Sequence, residues 1–305
     1  MLSRKSPAMN NYNFYKNINP SETSKLEGGL YVTSTPIGNL KDITVRGIET
    51  LHHVDIIACE DTRRSRKLLN YYNIKNKMIS YHDHNEKKVL PKLLSILLSG
   101  KSVALISDSG TPLINDPGFK IVSECIKRNI PVNPVPGACS IITALSVSGI
   151  PVNKFIFLGF FPIKLNKKKK LISIINVFKG TVVFFETPIR LTKTLVFLKN
   201  YFPNRELSIC KELTKIHQKI FTNKITNISA SSELQNPKGE FVLVLGPELN
   251  SNNHNEDIDT MLFETLKLMK LSEAINQVCA LTGAKKKELY SKALNIKNTI
   301  EDKKN

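Results

Sequence analysis

Four apolar runs in this chain each end in glycine, proline, hydroxyl or acidic residues, the types that can wrap a ligand. Val103-Ala104-Leu105-Ile106-Ser107 leads into Asp108-Ser109-Gly110-Thr111-Pro112 and then Asn115-Asp116-Pro117-Gly118. Residues 30–34 lead into Thr35-Pro36-Ile37-Gly38-Asn39, residues 54–59 into Glu60-Asp61-Thr62-Arg63, and residues 131–135 into Pro136-Gly137-Ala138. Glycine permits tight turns and close approach of a ligand to the backbone. Asp116 and Pro117 suit the cap and first position of a following helix. One such segment is an ordinary turn. Four of them point to a site, because ligands of open parallel sheets bind beyond the carboxyl ends of the strands.

Two other chemistries are weaker. His82-Asp83-His84 offers metal-ligand types, but no further His or Cys pair follows at ligand spacing. No Gly-x-x-x-x-Gly-Lys-Ser/Thr phosphate loop occurs, which argues against a nucleotide triphosphatase.

The elements that must carry these loops alternate from Gly29 onward. Leu90, Leu93, Leu94, Leu97 and Leu98 recur at helical spacing, as do Ile121, Val122, Cys125 and Ile126, so both segments are expected to lay an apolar face on a sheet. Residues 138–148 continue the pattern with Ile141, Ile142 and Leu145 inward and Gly149 as the carboxyl-terminal cap. Further strands are expected at 155–161, 181–185, 207–210 and 241–245, with a helix at 191–201 ended by Pro203. Some of these strands lack an intervening helix, which implies a mixed sheet. Two short helices at 271–281 and 285–294, around Thr282-Gly283-Ala284, read as a helix-turn-helix.

The chain has 305 residues, enough for two domains. The expected organisation is a disordered, Asn-rich extension at 1–28, a parallel α/β domain at 29–149, a mixed α/β domain at 150–248, a polar linker at 249–258 and a helix-turn-helix-like module at 259–300. A net charge of +18 favours a polyanionic partner, nucleic acid before membrane, since neutralised phosphates release counterions. A Lys-rich and Asn-rich composition accounts for part of that charge. Five scattered cysteines without a Cys-x-x-Cys pair fit a reduced, cytoplasmic setting. No apolar run approaches the ~20 residues of a membrane helix, and residues 1–28 lack the apolar block of a secretory signal.

Taken in order, Thr35-Pro36-Ile37-Gly38-Asn39-Leu40, Glu60-Asp61-Thr62-Arg63, Tyr81-His82-Asp83-His84-Asn85-Glu86, Ser107-Asp108-Ser109-Gly110-Thr111-Pro112 and Asn115-Asp116-Pro117-Gly118 closely resemble the bacterial RsmI family. This is the 16S rRNA ribose-2′-O-methyltransferase group of the tetrapyrrole methylase superfamily, and the resemblance covers roughly residues 29–294. It implies two α/β domains with S-adenosylmethionine in the cleft between them, a homodimer, a carboxyl-terminal helical module, and methylation of a cytidine ribose in the decoding region of the small subunit. The chain departs from the family pattern at Ala138, which follows Pro136-Gly137 where proline is usual. It departs again at Ile189, where a basic residue often stands, and at Gln218, where an acidic residue is common.

That resemblance assigns chemistry. Methyl transfer to a hydroxyl is an in-line displacement in which alignment supplies up to ~7–11 kcal/mol and a general base ~3–5 kcal/mol. Cofactor placement is expected of Gly38, Asp108, Gly110, Thr111, Pro112, Gly137, Ala138 and Thr143, with Asp108 either contacting the ligand or capping its own loop. Candidates to take the proton are Glu60, Asp61, Glu186 and Glu212, with Lys211 able to lower the hydroxyl's pKa; each carboxylate can equally serve in a structural hydrogen bond or ion pair. Arg63, Arg64 and Arg66 at a helix start, Lys167, Lys168, Lys169 and Lys170 in a loop, and Lys285, Lys286 and Lys287 opening the last helix are expected RNA contacts, or else solvated faces. No metal, membrane or DNA partner is expected. The alternatives are a methyltransferase for a tetrapyrrole-like small molecule, and an rRNA-binding assembly factor without activity.

Overall fold

The computed structural model describes residues 26–228, 237–248, 254–282 and 284–302. Up to residue 25, the expected extension lies outside the described residues. The chain forms two compact units, one ending at Pro247 and the other beginning at Glu248.

Five parallel strands, β1 (Gly29–Thr33), β2 (Ile56–Cys59), β3 (Lys77–Ser80), β4 (Ser102–Ile106) and β5 (Val132–Val135), form one sheet in the order β3-β2-β4-β1-β5. Alternate side chains go to opposite faces. Tyr31, Ile57, Cys59, Ala104 and Ile106 pack under α1 (Val45–His53) and α2 (Thr62–Tyr71). Leu30, Ile56, Ala58, Val103 and Leu105 pack under α3 (Glu86–Leu98) and α4 (Phe119–Lys127). Burial on both faces explains why β2 and β4 read as unbroken apolar runs. Leu98 and Ile126, expected inward, are exposed and flank the buried stripes of their helices. Asp116 does not cap α4; Gly118 does, at φ +135°, and the helix starts at Phe119 because the Asp116 side chain turns back toward Ser107.

A second sheet holds β6 (Phe155–Phe160), β7 (Thr181–Glu186), β8 (Arg205–Lys211), β9 (Lys219–Lys224) and β10 (Phe241–Glu248) in the order β6-β7-β10-β8-β9. β6 runs parallel to β7, while β7–β10 and β8–β9 pair antiparallel, so the sheet is mixed. One face packs on α6 (Leu165–Val177) and α7 (Pro188–Tyr201) through Leu171, Ile175, Leu191 and Leu198. The other face receives α5 (Ser140–Val147): Ile141, Ala144 and Leu145 pack on Val183, Val242 and Val244. Ile142, expected inward, is 54% exposed because it points away from that sheet. Gly149 follows the Ser148 cap at φ +68°, in the left-handed region that ends helices.

Lys167–Lys170 are not in a loop but in the first half of α6, which lacks a side-chain cap and so gave no start signal. Among its described residues the second unit contains three helices rather than two: α8 (His254–Leu268), α9 (Leu271–Thr282) and α10 (Lys286–Asp302). Helix α8 begins inside the segment expected to be a linker, because Ile258 and Leu262 bury against Ile275, Val278, Leu289 and Ala293. Gly283 lies outside the described residues.

Candidate active site

Beyond the carboxyl ends of β1, β4 and β5, three loops are laced together. Thr35 N–H donates to the Gly110 carbonyl at 2.8 Å and Gly110 N–H to the Thr35 carbonyl at 3.1 Å. The Thr111 hydroxyl donates to the Ala138 carbonyl at 3.1 Å and therefore accepts from Ser34 Oγ at 3.0 Å. Gly137 lies against Ser34, where an added Cβ would stand 3.0 Å from the Ser34 Cβ. The Gly110 loop holds Leu113 at φ +71° and Asn115 at φ +66°, conformations that cost of order 1–3 kcal/mol each and persist where the surroundings fix them. The Thr143 hydroxyl donates within α5 to the Cys139 carbonyl at 2.8 Å, so its proton is already used.

The second sheet meets this assembly at Gly38. An added Cβ there would lie 2.5 Å from Lys215 Cγ, 2.7 Å from Thr214 Oγ1 and 2.9 Å from the Leu213 carbonyl. Asn39 N–H donates to Thr214 Oγ1 at 3.1 Å. Thr214 itself sits at φ +63° and Glu212 at φ +51°. Gln218 supports the bend by accepting from Thr214 N–H at 2.6 Å, a task a glutamate oxygen performs equally well.

The carboxylates separate into engaged and unengaged groups. Asp61 caps α2, accepting from Arg63 N–H at 2.8 Å and from the Arg63 guanidinium, and these bonds hold its carboxyl far below the usual range. Glu186 is buried and accepts from Thr187 N–H at 2.7 Å, from Arg190 at 2.6 Å and from the Thr194 hydroxyl. Glu212 accepts from Glu240 N–H at 2.8 Å and from Lys215 at 3.0 Å. Burial alone would raise its carboxyl, but those donors together hold it below the ordinary value. Lys211 ends β8, paired with Lys219 in the ladder, and its charge adds to the lowering of Glu212. Asp108 does not cap its own loop; its carboxylate accepts from Asp61 N–H at 3.0 Å and from Arg64 at 3.2 Å, tying the β2 loop to the β4 loop.

Glu60 and Asp116 behave differently. Burial, then repulsion from Asp108, raises the Glu60 carboxyl. Burial, then repulsion from Glu60, pushes Asp116 up to about 6, against the Ser107 hydroxyl bond that favours its anion. From the sequence, Asp116 before Pro117 reads as a cap and not as a candidate proton acceptor. The visible signal was its position in a polar loop after a strand.

Among the arginines, Arg63 and Arg64 are used on Asp61 and Asp108, whereas Arg66 has no acidic partner among the described residues. On α6, Lys168 lies over the rings of Phe161 and Phe197, 5.6 and 4.9 Å from their centroids. Lys285–Lys287 are exposed at the start of α10 in the second unit. The His82 and His84 rings meet edge-on at 5.9 Å, and no set of three or more His, Cys, Asp or Glu among the described residues is arranged to hold a metal ion.

Residues 29–229 match the family Tetrapyrrole (Corrin/Porphyrin) Methylases, and residues 252–297 match the RsmI C-terminal HTH domain. The chain is 40% identical over 276 residues to Ribosomal RNA small subunit methyltransferase I of Mesorhizobium japonicum, covering 90% of this chain and 94% of that protein. Cobalt precorrin-4 methyltransferase, at 16% identity, shares the fold with a TM-score of 0.55 over 71% of this chain and 94% of that one. Uroporphyrin-III C-methyl transferase from Thermus thermophilus, solved with S-adenyl homocysteine, gives a TM-score of 0.50 at 14% identity over 72% of this chain and 97% of that one.

Proposed function

Since the chain belongs to the ribosomal RNA small subunit methyltransferase I family and carries the tetrapyrrole methylase fold, we propose that it methylates the 2′-hydroxyl of a cytidine ribose in 16S rRNA, using S-adenosylmethionine. The observation that carries this reading is the lacing of the Gly38, Gly110 and Gly137 loops beside two partly buried carboxylates, Glu60 and Asp116, that form no ion pair among the described residues. Such a site suits a cationic ligand, because unpaired carboxylates favour positive charge. When bound, S-adenosylmethionine supplies an electrophilic methyl group.

The protein's part is alignment and proton removal. Gly38, Gly110, Pro112, Gly137 and Ala138 bring the backbone close to the cofactor, while Asp108, Thr111 and Thr143 act by fixing the loops that do so. Asp116, with Glu60 beside it, takes the hydroxyl proton. A base with pKa near the working pH combines availability with driving force. Asp61, Glu186 and Glu212 are held by donors and serve the scaffold.

Lysines 285–287 stand at the positive end of α10, where their charge opposes the helix dipole, and RNA phosphates there relieve both. The acting species is a cytoplasmic homodimer in this reading. Incubation with labelled S-adenosylmethionine and unmethylated small subunits, followed by mapping of ribose methylation, tests it. Label on a cytidine ribose is expected. Tight RNA binding without label would instead make the chain an inactive factor, and label only on a tetrapyrrole would make it a small-molecule enzyme.

A further inference from the structure

Outside the laced loops, a groove of about 380 Å³ runs between α2 and the edge strand β3. Its wall is one face of α2, since Thr62, Arg66, Leu69 and Asn70 recur at three- and four-residue spacing. Leu69 and Ile74 lie buried beneath it, so its open surface is mainly polar, and its far end is Lys75 and Asn76. The near end is Thr62, which directly follows Glu60 and Asp61, so the groove leads away from the candidate active site for the ~15 Å length of α2.

Two features give the groove a ligand class. Arg66 and Lys75 are exposed and have no acidic partner among the described residues, unlike Arg63 and Arg64 on the same helix. Asn76 donates through Nδ2 to the His52 carbonyl at 3.0 Å and to the Val54 carbonyl at 2.5 Å. Both amide protons are thereby spent, and Oδ1 is left as an acceptor held in a fixed orientation. A second groove of similar volume between α3 and α4 lacks this set: its lining is mostly apolar, and its one cation, Arg128, is paired with Glu124.

We propose that the β3 groove holds the single-stranded RNA that flanks the nucleotide being methylated. Arg66 and Lys75 hold its phosphates, and Asn76 Oδ1 accepts from an exocyclic amino group of a base. Single-stranded RNA is read through splayed bases and phosphates, and the groove supplies a counterpart to each. The inference rests on the rRNA methyltransferase reading above.

The test compares the full chain with R66A/K75A and with a charge-matched control, K88A/K92A, on exposed positions of α3. Filter binding of a small-subunit rRNA fragment would be measured at several salt concentrations, alongside methyl transfer and calorimetric cofactor binding. For R66A/K75A, loss of two phosphate contacts lowers the slope of log affinity against log salt by about 1.4. KM for RNA rises tenfold or more with kcat nearly kept, cofactor affinity is unchanged, and the control behaves as wild type. Wild-type salt slope and KM in R66A/K75A, or equal losses in the control, would overturn the groove. Failure of the unaltered protein to methylate small subunits would overturn the function instead, whatever the variants bind.

Discussion

Asn39 N–H donates to Thr214 Oγ1 at 3.1 Å, so residues 175 positions apart fasten the loop after β1 to the bend between β8 and β9. Gly38 makes this closure sterically feasible, because any side chain there runs into Leu213, Thr214 and Lys215.

Gly38→Ala is therefore expected to fold with a loss of about 1–3 kcal/mol, the usual range for overpacking. Its cofactor affinity and methyl transfer should fall far more, on the order of 100-fold, since misplacement by about 1 Å is that damaging to an aligned reaction. Calorimetry with S-adenosylmethionine and a thermal melt measure the two effects separately. Equal losses in both would show that the loop matters only for folding.

Asp116 should impose a pH dependence. Its anion is the working form, so kcat/KM is expected to rise with pH through about 6, as an apparent value shared with the adjacent Glu60. Asp116→Asn should abolish that limb and lower the rate by roughly 10²–10⁴.

The same group affects stability in the opposite sense. A carboxyl raised in the folded state binds its proton more tightly there than when unfolded, so its contribution falls as pH climbs from the ordinary 3.8 to about 6. Asp116→Asn is thus expected to melt higher than wild type at pH 7 while being nearly inactive. A lower melting temperature at neutral pH would contradict this assignment.

Glu186 is expected to be a scaffold residue. Glu186→Gln should retain methyl transfer within about tenfold, whereas loss of a general base lowers rates 10²–10⁴-fold. Arg190→Ala leaves the buried Glu186 anion without its cation and should destabilise by about 1–3 kcal/mol, below the range for a fully buried pair because Arg190 is partly exposed. Denaturant titration of both variants, with single-turnover kinetics, checks the pair.

Replacing Lys285, Lys286 and Lys287 by alanine should weaken RNA binding and flatten its salt dependence by about 0.7 per lost single-strand contact. Filter-binding curves identical to wild type across salt would remove these lysines from the interface.

Much of this fold is written in side-chain periodicity. β2 and β4 are apolar on both faces and bounded by turn residues, and both were found. Strands β3 and β9 escaped because they are edges: Lys77 opens one, and Lys219 and Lys224 bracket the other, charges that protect an edge but blur its pattern. Helix α6 escaped because four lysines hid the Leu171 and Ile175 stripe. At the site, the glycine loops were legible because close approach demands glycine. Which carboxylates are engaged was not, because Glu186 is satisfied by Arg190 and Thr194, Asp108 by Asp61 and Arg64, and Glu212 by the distant Glu240.

Helix α5 has a consequence for dissecting the molecule. It follows β5 in the chain, yet its apolar stripe of Ile141, Ala144 and Leu145 is seated on Val183, Val242 and Val244. Scission after Gly149 would leave the amino-terminal fragment with a greasy, unpaired helix and the carboxyl-terminal fragment with one side of its sheet stripped. Neither piece should be obtained alone in well-behaved form, and the two are expected to recover each other when produced together.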